Sequence, residues 1–226
     1  MKSFRERIHS SYLTTKSVHQ RFGVIACVID IIYKCLNKVT YFKVLRGMTL
    51  TLDSIDAQFL DNDSGREGET ISGSNVSLLI SPDIGMNQNF IDGAEKRGDW
   101  SYVFREHENV ISYGWYSNSD VPIDVLFAIS YSDQFTYMYK GFTAAQYRGE
   151  KLHAFGMARA LRNVTKAGAN GLISYVEANN FASLRSCERL GYKIFGSCWL
   201  FRIFGRFFVL RSPGCTRFEF DAQHTG

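Results

Sequence analysis

Tyr137-Met138-Tyr139-Lys140-Gly141-Phe142-Thr143-Ala144-Ala145-Gln146-Tyr147-Arg148-Gly149-Glu150-Lys151-Leu152-His153 reads as a β-strand, a short loop and the opening of a helix. A helix that opens directly after such a loop leaves its first backbone N–H groups without intrahelical acceptors. The helix dipole adds partial positive charge at the same place, so a pyrophosphate fits there. Downstream, Ala154, Met157, Ala158, Leu161 and Val164 recur at helical spacing. The helix is therefore predicted over Glu150 to Ala167, with Gly168 as its stop. Leu172 to Glu177 then reads as a strand and Phe181 to Leu190 as a second helix, and Tyr192 to Val209 supplies one or two more strands. Upstream, Tyr102–Arg105, Val110–Tyr116, Val125–Tyr131 and Phe135–Phe142 are short β-prone runs separated by polar turns. They are expected to form an antiparallel meander. Phe135–Phe142 and Leu172–Glu177 are expected to lie side by side and parallel, because a helix joins them.

These residues resemble the GNAT superfamily of N-acyltransferases, whose central motif is a strand followed by R-x-x-G-x-G/A at a helix start. Tyr147-Arg148-Gly149 reproduces the common opening of that motif. A second block follows in the family's order, Asn180-x-x-Ser183 and then Leu190-Gly191-Tyr192, with the glycine eleven residues after the asparagine. The resemblance covers roughly Trp100 to Val209. It implies an α/β (α+β) fold with a mixed, mostly antiparallel central sheet flanked by helices. It also implies transfer of an acyl group, in the first place acetyl from acetyl-CoA or another acyl-CoA, to a primary amine on a small-molecule or polymer-borne acceptor, with no metal. Carried over position by position, the donor would be held by Phe142, Thr143, Arg148, Gly149, Glu150, Lys151, Leu152, His153, Asn180 and Ser183.

The departures from the pattern concern the same site. Lys151 and His153 stand where the family has small residues, which alters close backbone approach to the phosphates. Lys151 either adds positive charge there or is a solvated lysine of the first turn. The family's frequent general acid, a tyrosine seven residues after the motif Asn, maps onto Cys187. A thiol has the right pKa range to protonate a thiolate, while its apolar neighbours equally describe a structural cysteine. Glu177, at the end of its strand, is the carboxylate placed to take the amine's proton, or else a polar strand end facing solvent. Tyr137 and Tyr139 either line the acceptor side or belong to ordinary sheet packing.

Composition agrees with one compact unit carrying an appendage: 226 residues, 45% hydrophobic and 21% charged. A net charge of +4 suits anionic ligands and falls short of the basic stripe of a nucleic-acid binder. Five cysteines, odd in number and without a C-x-x-C pair, suggest reduced thiols and a cytoplasmic protein. The most apolar stretch, Phe22 to Tyr33, is about twelve residues and contains Asp30, short of the roughly 20 needed for a membrane span. No signal-peptide pattern precedes it. The sequons at Asn75 and Asn163 are read as chance matches.

Residues 1–60 are expected to form a helical N-terminal extension to a GNAT-like domain over 61–226. Ser17 to Asn37 is predicted helical, with Phe22, Val24, Ile25, Val28, Ile29, Ile32 and Tyr33 on one broad face. That face is expected to pack on the body or on a second copy in a homodimer. Val39 to Leu52 reads as a strand, Asp53 to Leu60 as a short helix and Asp61 to Ser74 as a loop. The run Asp61-Asn62-Asp63-Ser64-Gly65 misses the spacing of a calcium loop. The extension and the aromatic stretch Trp199 to Val209 also suit a longer acyl-CoA or an acyl-carrier protein as donor. The cysteine at position 187 leaves room for a non-catalytic CoA- or partner-binding protein.

Overall fold

A computed structural model describes residues 4–62 and 64–225, with side chains from Thr15 onward, Ser17 apart. Asp63 of the calcium-like run lies outside the described residues. In chain order the elements are α1 (Phe4–Val39), β1 (Phe42–Leu50), α2 (Gln58–Asp61), β2 (Gly68–Ile71), α3 (Gln88–Arg97), β3 (Trp100–Glu106), β4 (Asn109–Ser117), β5 (Val121–Pro122), β6 (Phe127–Ser130), β7 (Phe135–Thr143), α4 (Leu152–Lys166), β8 (Gly171–Glu177), α5 (Phe181–Leu190), β9 (Lys193–Ile203), β10 (Arg206–Arg211), α6 (Pro213–Arg217) and β11 (Asp221–His224). Eight strands form one sheet in the order β10-β9-β1-β8-β7-β4-β3-β2, and β11-β6-β5 form a second. Every pairing is antiparallel except β7 with β8.

The expected parallel pair is present, with α4 as its connection. That helix buries Leu152, Met157, Ala160, Leu161 and Val164 against Met138, Phe104, Tyr116 and Leu172 of the sheet. Burying aliphatic side chains of this size is worth about 1.5–3 kcal/mol each. At Gly156 the helix comes close to the sheet, and an added Cβ would lie 3.3 Å from both Phe104 and Tyr102. Gly191, one of the two residues of the expected Gly-aromatic pair, has φ +108°, and a Cβ there would stand 2.1 Å from the Ser54 carbonyl. Its place in the pattern is thus explained by how the end of α5 closes on the loop between β1 and α2.

Several expectations are corrected. The run Val125–Tyr131 leaves the meander: β6 pairs in the small sheet, and Phe127 and Ile129 fill a core with Leu45, Tyr137 and Leu200. In the main sheet β4 therefore pairs directly with β7. The Asp124 carboxylate turns the chain there by accepting the amides of Leu126 and Phe127. The Asp61–Ser74 loop contains β2, held on β3 by an Arg105–Glu69 ion pair at 2.7 Å. Residues 75–99, given no element from sequence, hold Val76, Leu79, Met86, Ile91 and Ala94 in a third core under Val103, Tyr113 and Trp115.

The N-terminal region differs most. β1 is an interior strand between β8 and β9, with Leu45, Met48 and Leu50 fully buried, so the main sheet crosses the expected boundary at residue 60. Helix α1 is kinked at Gly23 (φ 86°). It turns Ala26, Asp30 and Tyr33 inward and leaves Val24, Ile25, Ile29, Ile32 and Leu36 in solvent. Of the broad apolar face, Phe22 and Tyr33 therefore pack on the body while the aliphatic members stay in solvent. The inward contact is made by two aromatic rings and polar groups: Phe22 lies against Phe181, Tyr33 lies edge-on to Phe42 with its hydroxyl accepting the Val44 amide, and Asp30 pairs with Lys34.

Candidate functional site

The site begins where the two parallel strands part. β7 and β8 pair at Phe135–Gly171, Thr136–Leu172 and Tyr137–Ile173 and then diverge. Ser174 Oγ donates to the Met138 carbonyl at 2.7 Å, closing the last contact before the gap. On its other side β7 changes register against β4: Lys140 faces Trp115 and Met138 faces Tyr116, which leaves Tyr139 as the extra residue of a β-bulge. Bulge and divergence coincide at Tyr139, which borders one cleft, while Thr143 at the end of β7 borders another.

At one end of the divergence the loop from β7 to α4 forms a cradle of amides. Gly149 has φ +105° and Lys151 φ +58°. Two left-handed residues two apart aim successive N–H groups inward. Lys151 is the N-cap of α4 and makes no side-chain cap, and among the described residues the amides of Gly149, Lys151, Leu152 and His153 have no protein acceptor. Lys151 therefore takes, at a cost of about 1–2 kcal/mol, a left-handed conformation that glycine adopts freely. A cleft of about 540 Å³ lies here, bordered by Thr143, Arg148, Gly149 and Lys151, by Gln58 and Phe59 of α2, and by Arg189 of α5. The Lys151 ammonium donates to Gln58 Oε1 at 3.0 Å and sits over the Phe59 ring.

Other expected donor residues have structural places. Leu152 is fully buried in the core. Glu150 points to Arg66, which bridges it to Glu106, each at 3.0 Å. The Tyr147 hydroxyl and Arg66 hold Glu106 below the usual carboxylate range. Phe142 stacks on Tyr113. The His153 ring lies against Gly141, whose added Cβ would be 2.2 Å from it, and loss of solvation lowers its pKa to about 4. Asn180 caps α5, its Oδ1 accepting the Ser183 amide at 3.2 Å.

Asn180 and Ser183 border a second cleft, of about 650 Å³, with Tyr139, Tyr175, Glu177 and Phe181 on one side and Phe22, Asp30 and Lys34 of α1 on the other. The first turn of α5 thus faces this cleft, and its later turns face the cradle. Glu177 accepts from the Tyr33 hydroxyl at 3.1 Å and stands 3.9 Å from Lys43, with its side chain 35% exposed. It is a paired carboxylate at a cleft edge, not one sealed in apolar surroundings and not a free strand end. Tyr139 donates to Asp99, which Arg97 also holds at 2.6 Å. Burial and Asp99 raise the Tyr139 hydroxyl's pKa. Tyr137 is buried in a ring cluster with Tyr131, Tyr139 and Tyr175 and does not line the cleft. Cys187 borders neither cleft. It packs on the core, where burial pushes its thiol up to about 11.

Solved structures with a similar chain path include a Drosophila protein (13% identity, 74% of this chain and 52% of that one, TM-score 0.48). They also include an aminoglycoside N-acetyltransferase in complex with CoA (12%, 56% and 91%, TM-score 0.44) and a tandem GNAT protein from the clavulanic acid biosynthesis pathway (12%, 82% and 54%, TM-score 0.48). The chain spans about half the length of the Drosophila protein. The fold is the expected α/β one, a mixed, mostly antiparallel central sheet flanked by helices. No family model and no curated protein matches the sequence. At identities this low no residue's role transfers from one chain to another. Among the described residues no group of side chains is arranged to hold a metal ion, and no helix is long and apolar enough to cross a membrane.

The residues that sequence reasoning missed lie outside the two motif blocks. Gln58 and Phe59 form the wall opposite the cradle, Arg189 adds a cation to it, and Tyr175 and the α1 residues complete the second cleft. Only Tyr175 carried a local signal, standing two residues before Glu177 on the same face of a strand.

Proposed function

We propose that this chain is an N-acyltransferase that takes an acyl group, acetyl in the first place, from acyl-CoA and gives it to a primary amine. The observation that carries this reading is the divergence of β7 from β8, with the amide cradle at one end and Glu177 at the other. The amides of Gly149 and Lys151 to His153 suit a pyrophosphate, and Arg148, Lys151 and Arg189 add charge of the right sign. The pantetheine arm then runs along the open edge of β7, where a main-chain N–H at the Tyr139 bulge polarises the thioester carbonyl. Glu177 takes the proton of the incoming ammonium, the nitrogen attacks the carbonyl carbon, the C–N bond forms and the C–S bond breaks. As the intermediate collapses the nitrogen gives up its second proton to water, and the departing CoA thiolate, a good leaving group with a pKa of about 8–9, takes a proton back from water, so Cys187 has no part to play. A cytoplasmic setting goes with the free cysteines.

The test is release of free thiol from acetyl-CoA and from octanoyl-CoA with a panel of small and polymer-borne amines. Turnover with acetyl-CoA supports the reading. Turnover only with octanoyl-CoA, or only with an acyl-carrier protein, moves the donor to the longer class. CoA binding in calorimetry without turnover on any amine leaves a non-catalytic binding protein and refutes the enzyme.

A further inference from the structure

Helix α1 reverses the usual arrangement of a surface helix. Its buried side carries Asp30, tied to Lys34 at 2.5 Å and to Asn179, whereas its outer side carries Ile25, Val28, Ile29, Ile32, Leu36 and Val39, all exposed. Ile25 is 79% exposed and Val39 88%. The helix lies on the sheet face that bears Phe42, and that face continues uncovered beyond it. Register places Phe42, Phe201 and Phe208 in one row and Val44, Trp199 and Leu210 in the next, running to the β10 edge. Phe208 and Leu210 are exposed, and Phe204 at the tip of the β9–β10 hairpin is wholly so. The outer side of α1 and the open half of the sheet therefore face the same way as one apolar surface, far larger than scattered exposed side chains would give.

The charges around this surface have one sign. Residues 15–39 and 193–211 together carry a single acidic residue, the buried Asp30, and eight lysines and arginines, of which Lys34 is tied to Asp30 and Arg202 and Arg211 fall by register on the opposite face of the sheet. Lys38, Arg46 and Arg206 have no carboxylate partner among the described residues. We propose that this surface docks in the plane of an anionic phospholipid membrane, the aliphatic and aromatic side chains entering the headgroup boundary and the basic rim meeting lipid phosphates and carboxylates. Self-association through the same patch would set two cationic rims against each other, which disfavours a second copy as the occupant. Because α1 also walls the Glu177 cleft, docking brings that cleft to the membrane surface.

The full chain is sedimented with vesicles of phosphatidylcholine alone or mixed with phosphatidylserine, at low and high salt. Binding is expected with phosphatidylserine, reduced by salt and weak with phosphatidylcholine alone. Each basic side chain near such a surface contributes about a fivefold factor, so Lys38→Gln with Arg206→Gln should lower partitioning about twenty- to thirtyfold. Ile25→Asp with Ile32→Asp should abolish it while the near-ultraviolet circular dichroism and melting temperature are unchanged, since both side chains are in solvent. Absence of binding to anionic vesicles, or binding indifferent to these substitutions, overturns the proposal. So does a stable dimer in native mass spectrometry that Ile25→Asp dissociates, because the surface would then belong to a second copy.

Discussion

Replacing Gly149 by valine tests the amide cradle through backbone torsion alone. A Cβ at Gly149 would meet no atom within 4 Å, so the substitution does not crowd the loop. What it forbids is φ +105°, a conformation L side chains rarely adopt and a β-branched one least of all. Holding such a torsion costs about 1–3 kcal/mol. Arg148, Gly149 and Glu150 are exposed, so the free protein escapes the cost by moving the loop, and its stability should change little. The cost returns when an anion needs the cradle formed, and CoA affinity should fall about five- to 150-fold. Lys151→Ala loses only an exposed charge, worth under about 1 kcal/mol and reduced by salt. It also keeps the left-handed strain. Calorimetric titration with CoA at two salt concentrations measures both variants. Unaltered affinity in a folded Gly149→Val protein, or a larger loss in Lys151→Ala, refutes the assignment of the phosphates to these amides.

Other outcomes follow from the same geometry. His153 has its pKa lowered to about 4 against 6.5 unfolded, so it is neutral when folded. Stability is then full above the unfolded value and is lost as pH falls toward the folded one, by about 1–2 kcal/mol near pH 5. Urea unfolding of the wild type and of His153→Gln at neutral pH and at about pH 5 should show that difference shrink in the variant. Gly141→Ala should destabilise by about 1–3 kcal/mol by driving a methyl group into the His153 ring. Its cost in a His153→Ala background should be smaller, as a double-mutant cycle would reveal. Glu177→Gln should lower kcat by about a hundredfold or more with a smaller change in KM. Cys187→Ala should keep turnover within about twofold, and a large loss of rate there would return the thiol to the chemistry.

How far the sequence could be read depended on the range of the interactions involved. The β7-loop-α4-β8-α5 run was legible because its signals are local: helical spacing from Ala154 to Val164, a left-handed glycine at Gly168, and strands whose direction a single helix connection dictates. The Asn180-x-x-Ser183 spacing was legible as well, but its meaning was not. The side chain of Asn180 bonds the Ser183 amide, so the pattern that suggested a donor contact is the cap and third residue of a helix. The conformation of Lys151 could not be read at all, because a left-handed torsion in a residue with a side chain leaves no mark in composition.

Residue type and period marked most strands of the main sheet, though not β2, and in β7 and β8 this was enough to foresee the pair that opens the site. Tertiary structure decided the neighbours. Period two tells which side of a strand is buried without telling which strand lies beside it, so neither the insertion of β1 between β8 and β9 nor the departure of β6 to a second sheet was visible. The same limit applies to α1. Its sequence demanded that an apolar face be covered, and only the packing of Tyr33 on the sheet and of Phe22 on α5 showed that the body takes the aromatic rings of that face and leaves its aliphatic side chains in solvent.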